Sequence, residues 1–133
     1  MLKEHKALIN MFKNAKIHVT TDNVAEAMED WAEALSTSTE SVMNSLGLSF
    51  DYSELDDSKH RVIAQSRLRE IYALLSIVRP WFRSDMDCWT WFVNKQLTPF
   101  SDLTPSEVVT RYQSRGIKSL RSWVNDRNMG HFQ

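Results

Sequence analysis

The sequence predicts an all-α fold, a compact bundle of about seven helices, and three observations predict it. Apolar residues recur every three or four positions along most of the chain, whereas the two-residue alternation of a half-buried strand is nearly absent. Gly47, Pro80, Pro105 and Gly116 fall at the seams between these periodic segments, where helices stop and start. Hydrophobic residues fill 42% of the 133 positions and charged residues 25%, the balance of a folded globule rather than a disordered chain.

A first helix is expected over about Leu2 to Ala15, where Leu8, Ile9, Phe12 and Ala15 make one apolar stripe. The β-branched stretch Ile17 to Thr21 reads as an extended connector. Asp22 or Asn23 can cap a second helix, Val24 to Leu35, which puts Val24, Ala27, Met28, Trp31 and Leu35 on one side, with Glu26, Glu29, Asp30 and Glu33 mostly on the other. Ser36 to Thr39 interrupts that pattern and supplies the cap of a short third helix, Thr39 to Leu46, which Gly47 closes in a left-handed conformation. Leu48 to Ser58 lacks a clear period and reads as the linker between two parts, 1–52 and 53–133.

The strongest helix follows, from about Asp57 to Val78. Its Ala64, Leu68, Ile71, Leu75 and Val78 recur at four, three, four and three, the spacing of a seam packed on another helix. Pro80, which has no amide proton, ends it. A fifth helix runs from Ser84 or Asp85 to Lys95. Thr104-Pro105-Ser106-Glu107 then joins an N-cap, a proline at the first helical position and a glutamate three residues after the cap. That sixth helix reaches about Ser114, Gly116 is expected to break it, and a seventh from Ile117 to about Arg127 sets Ile117, Leu120, Trp123 and Val124 on one face.

Chemistry is sparse. Cys88 is the sole cysteine, which excludes an internal disulfide and a multi-cysteine metal cage and fits a reducing, cytoplasmic setting. Its neighbours Trp89-Thr90-Trp91-Phe92 point to a buried thiol. Lys3, Glu4, His5, Lys6 and Asn10 interrupt the N-terminus as no signal peptide would, and no stretch is long and apolar enough to span a bilayer. Phosphate-binding glycine loops and a nucleophile elbow are missing from the sequence. His5, His18, His60 and His131 lack metal-ligand spacing, while Asp56-Asp57 and Asp85-x-Asp87 stand at helix starts, where the dipole favours them. No catalytic residue, cofactor or metal is expected, and the chain reads as a protein that binds another macromolecule.

Charge is distributed unevenly. Residues 1–59 hold eleven Asp or Glu against five Lys, whereas residues 60–133 hold eleven Lys or Arg, all nine arginines among them, against six acids. Guanidinium groups suit bidentate contact with carboxylate or phosphate, so the C-terminal half is the place for an anionic partner. The competing reading is that the halves attract each other or that the arginines coat solvated helix faces. Asp30 to Leu48 has the rhythm of a helix-turn-helix, with Ser38, Thr39, Ser41 and Asn44 facing outward as candidate DNA contacts. That unit carries no Lys or Arg of its own to meet phosphate. Nine aromatic residues between Trp81 and Phe132 mark the second candidate surface, most of them core and two or three left for a partner.

From about Arg67 to Gly130 the chain resembles the toxin-binding domain of the Xre/MbcA/ParS antitoxins. Trp91-Phe92 stands where that family has a tryptophan-leucine pair. Leu103-Thr104-Pro105-Ser106-Glu107-Val108-Val109 resembles its loop and helix start, with Ser101-Asp102 at the place of its glycines. Gly116 and Gly130 resemble its inter-helix and closing glycines, and the helix-turn-helix-like segment sits where it carries its Xre-like part. The resemblance implies a usually dimeric antitoxin that blocks a RES-type toxin acting on NAD, by inserting its C-terminal helix and tail into the toxin's cleft. Arg115, Lys118, Arg121, Trp123, Arg127 and Phe132 are the expected contacts, and repression of its own operon would use the N-terminal part. The rivals are a helix-turn-helix DNA-binding regulator without a toxin and a phage or bacterial adaptor that dimerises through the Ala64 to Val78 seam.

Overall fold

Capping chemistry sets most helix boundaries. A computed structural model of the chain describes residues 19–130, and these form five α-helices: α1 (Val24–Ala34), α2 (Thr39–Ser45), α3 (Ser58–Val78), α4 (Asp85–Asn94) and α5 (Pro105–Gly130). Short 3-10 turns lie at Tyr52–Asp56, Arg79–Trp81 and Thr98–Phe100. Ser38, Asp57 and Ser84 each accept a hydrogen bond from the amide three residues on, which opens α2, α3 and α4. At the head of α5 the Thr104 amide donates to Glu107 Oε1 at 2.8 Å and the Glu107 amide to Thr104 Oγ1 at 3.1 Å, the reciprocal box read in the sequence. Asn23 does sit at the N-cap of α1. Its side chain, however, accepts from the Thr20 amide at 2.7 Å, so it braces the connector.

Helix ends follow the same logic. The Leu48 amide reaches the Met43 carbonyl at 3.1 Å and the Gly47 amide the Asn44 carbonyl at 3.0 Å, a Schellman motif with Gly47 at φ +76°. The end of α1 repeats this pairing through Thr37 and Ser36, although Ser36 (φ 54°) has a side chain that disfavours the left-handed region. Among the described residues there is no strand, only one isolated bridge between Leu97 and Leu103.

Several expectations change. The helix expected over Leu2 to Ala15 lies outside the described residues. The sixth and seventh helices are the two limbs of α5, and the break between them falls at Gln113, whose backbone is not helical (φ 56°, ψ −136°), and not at Gly116. Gly116 stays helical and buried for another reason: a Cβ there would stand 2.6 Å from the Val108 carbonyl oxygen, so its glycine lets the limbs on either side of the bend cross closely. The expected linker contains the Tyr52–Asp56 turn, whose Leu55 is buried in the core.

Burial explains the arrangement. α3 is central, packing on α1, α4 and α5, and α5 also packs on α4 and α2. One buried cluster runs from Met28 and Trp31 through Leu46, Leu68 and Ile71 to Phe92, Leu120 and Val124. All five residues of the Ala64 to Val78 seam are fully buried in it, so the seam is consumed within the chain and offers no surface for the dimer of the adaptor reading. No helix among the described residues is long and apolar enough to cross a membrane.

Candidate partner-binding surface

The last carbonyls of a helix have no partner within it. At the end of α2 they are met by side chains from the C-terminal half. Ser106 Oγ donates to the Ser45 carbonyl at 2.6 Å, Arg67 Nη1 to Leu46 at 2.7 Å and Gln113 Nε2 to Gly47 at 3.2 Å. Arg67 Nη2 also donates to Gln113 Oε1 at 2.6 Å, while its Nε lies 3.5 Å from Glu70 Oε1. Burial lowers the Arg67 pKa, with Glu70 opposing the shift. These contacts orient the outer limb of α5, 114–130, which carries most of the predicted contact residues.

That limb meets the Arg79–Trp81 turn. Pro80 ends α3, and Arg79 swings back to an ion pair with buried Asp85 (2.5 Å) while donating to the Phe82 carbonyl at 2.9 Å. The turn leaves Trp81 at the surface, 37% exposed. Its ring meets Trp91 edge-on at 6.0 Å and Trp123 at 6.2 Å, and its Nε1 donates to Asn128 Oδ1 at 2.8 Å. The Arg127 guanidinium lies 5.2 Å from the Trp123 ring centre and 5.9 Å from that of Trp81, within cation–π range of both. Phe100 packs edge-on against Trp123 at 6.0 Å. Trp81, Trp123 and Arg127 thus form a packed corner of the residue types that dominate interface energetics, with Met129 71% exposed beyond it.

Of the six predicted partner contacts, Trp123 and Arg127 belong to this corner, and Phe132 lies outside the described residues. Arg115, Lys118 and Arg121 are exposed on α5 and make no ion pair or hydrogen bond among the described residues. Trp81 was counted in the sequence only as one ring among nine; its sequence signal is Pro80, which stops the helix just before a large ring.

Of the four candidate DNA contacts, Ser38 Oγ accepts from the Ser41 amide at 3.0 Å, Thr39 is half-buried, and Ser41 and Asn44 are exposed on the seven-residue α2. On α1, burial raises the Asp30 pKa and the nearby Glu26, Glu33 and Glu29 raise it further, so this end of the molecule concentrates negative charge. Cys88 is a buried thiol, as its aromatic neighbours implied, and burial pushes its pKa up to about 12. His60 Nδ1 lies 3.0 Å from Asp57 Oδ2, and no group of His, Cys, Asp or Glu among the described residues could hold a metal ion. Comparison with family models, with curated proteins and with solved structures finds no match.

Proposed function

We propose that this chain is a non-catalytic, antitoxin-like protein of the cytoplasm that binds and neutralises a RES-type protein toxin through the end of α5 and the corner beside it. The observation that carries the reading is the corner itself, with Trp81 37% exposed and Arg127 lying over the rings of Trp81 and Trp123. A tryptophan held by ring contacts and a hydrogen bond loses little conformational freedom when a partner covers it, which is what makes such residues strong anchors. The loop before α5 adds support: Ser101 (φ 59°) and Asp102 (φ 64°), at the place of the family's glycines, both take the left-handed conformation that glycine adopts without strain. In this reading 1–52 serves as the helix-turn-helix-like part and 53–133 as the partner-binding part.

Coexpression with the product of the adjacent open reading frame tests it. Deleting 117–133 would not be informative, because Leu120 and Val124 are fully buried. Trp81→Ala and Arg127→Glu change only the corner, and each is expected to weaken capture of the partner by about 30-fold or more, the cost of losing a central anchor. Full capture by both variants, with helical circular dichroism intact, would refute the reading.

A further inference from the structure

Arg115, Lys118 and Arg121 lie away from the aromatic corner. At about 100° per residue they fall, with Ser122 and Asn125, within one sector of roughly 120° on the outer limb of α5. Side chains three apart on a helix stand about 5–6 Å apart at Cβ, so the three cations form a ladder. No Asp or Glu occurs from Val108 to Asn125, and the carboxylates beside the ladder are Asp126, just outside the sector, and Glu70, which accepts from Ser114 Oγ at 3.1 Å at its start. Every exposed residue from 114 to 126 is polar or charged, and the one exposed apolar side chain of the limb, Met129, stands at its far end, so the stretch bearing the cations lacks the central apolar anchor that a protein interface is built around. A polar, cationic surface is instead what nucleic-acid interfaces use. The sector has no ring on which a single strand could stack its bases. A helix about 10–12 Å across matches the roughly 12 Å major groove of B-form DNA, whereas the A-form major groove is too narrow for side chains to read.

We infer that this face of α5 binds the phosphate backbone of a B-form DNA duplex, with Arg115 and Arg121 as bidentate forks, Lys118 as a point charge, and Ser122 and Asn125 as neutral donors. This places the nucleic-acid contact in the C-terminal half instead of on α2, and it does not depend on the protein partner. Binding is sequence-tolerant, because phosphate contacts position a protein without reading bases.

Fluorescence anisotropy of the whole chain with a labelled DNA duplex of about 20 base pairs tests the inference. Three phosphate contacts give a log–log salt slope near −2.7, so affinity should fall about 40-fold between about 50 and 200 mM salt. The triple variant Arg115→Ala, Lys118→Ala, Arg121→Ala should lose this binding while keeping its helical signal, since all three side chains are exposed. Removing three exposed cations elsewhere (Lys59→Ala, Arg83→Ala, Lys95→Ala) leaves the same net charge and should retain the binding. No binding at the lower salt, or equal loss in both triples, would overturn the assignment. So would double-stranded RNA or polyglutamate bound as tightly as the DNA duplex.

Discussion

Replacing Gly116 by alanine tests the bend in α5, because helix propensity and packing predict opposite signs. An alanine in a helix interior is favoured over glycine by about 0.8–1 kcal/mol. At Gly116 the added Cβ would lie 2.6 Å from the Val108 carbonyl oxygen, 3.0 Å from Val108 Cγ1 and 3.2 Å from Tyr112 Cβ. The nearest of these is backbone, which cannot rotate away, so the limbs on either side of Gln113 must separate. Forcing a methyl group into packed structure costs about 1–3 kcal/mol, a cost that the propensity term only partly offsets. The net expectation is a loss of about 1 kcal/mol, a fall in Tm of a few degrees for a chain of this size. Gly130→Ala is the matched control. A Cβ there meets nothing within 4 Å, so that variant should be neutral or slightly stabilised. Urea unfolding followed by tryptophan fluorescence would measure both, and a Gly116→Ala midpoint at or above that of the original chain would refute the close crossing.

Two further outcomes follow from buried groups. Arg67→Ala removes the donor to the Leu46 carbonyl and one partner of Gln113, and should cost about 2–4 kcal/mol in urea unfolding; Arg67→Lys, unable to serve both, should fall between. A lysine variant as stable as the original would remove the role assigned to the guanidinium fork. The Cys88 thiol, pushed by burial from 9.0 to about 12, stays protonated in the fold while the unfolded chain ionises, so stability should decline as pH rises from about 9 toward 12. Cys88→Ala should show a shallower decline over that window, and rapid labelling of native Cys88 by a thiol reagent near pH 8 would contradict its burial.

What was legible in the sequence was local. The cap within Ser36 to Thr39, the capping box at Thr104, the Gly47 terminus and the four-three seam of α3 each depend on residues within a few positions of one another, and each appears where the pattern puts it. What was not legible depends on distant groups. A bend at Gln113 has no local signature, because glutamine is a good helix former and its φ of 56° is held by contacts to Arg67 and Gly47. Arg67 and Arg79 read as members of an arginine-rich half set out for an anionic partner or for solvent, yet one caps α2 and the other pairs with buried Asp85. The aromatic corner was legible in composition only, since periodicity cannot say which of nine rings the surface keeps.

The bend also explains how the acidic and basic halves act on each other. The usual electrostatic reading would have them attract, but no ion pair among the described residues joins α1 or α2 to α5. The coupling instead runs through backbone carbonyls. Ser106 and Gln113, seven apart on α5, reach the Ser45 and Gly47 carbonyls, two apart at the end of α2. Holding Gln113 in a sparsely populated conformation costs about 1–3 kcal/mol, and a buried carbonyl left without a donor costs about as much, so the strained bend and the satisfied helix end offset each other. The direction of the limb bearing Arg115, Trp123 and Arg127 is therefore set by the last turn of α2. A change that unwound that turn would let Gln113 relax and would misalign both surfaces of α5 without touching either of them.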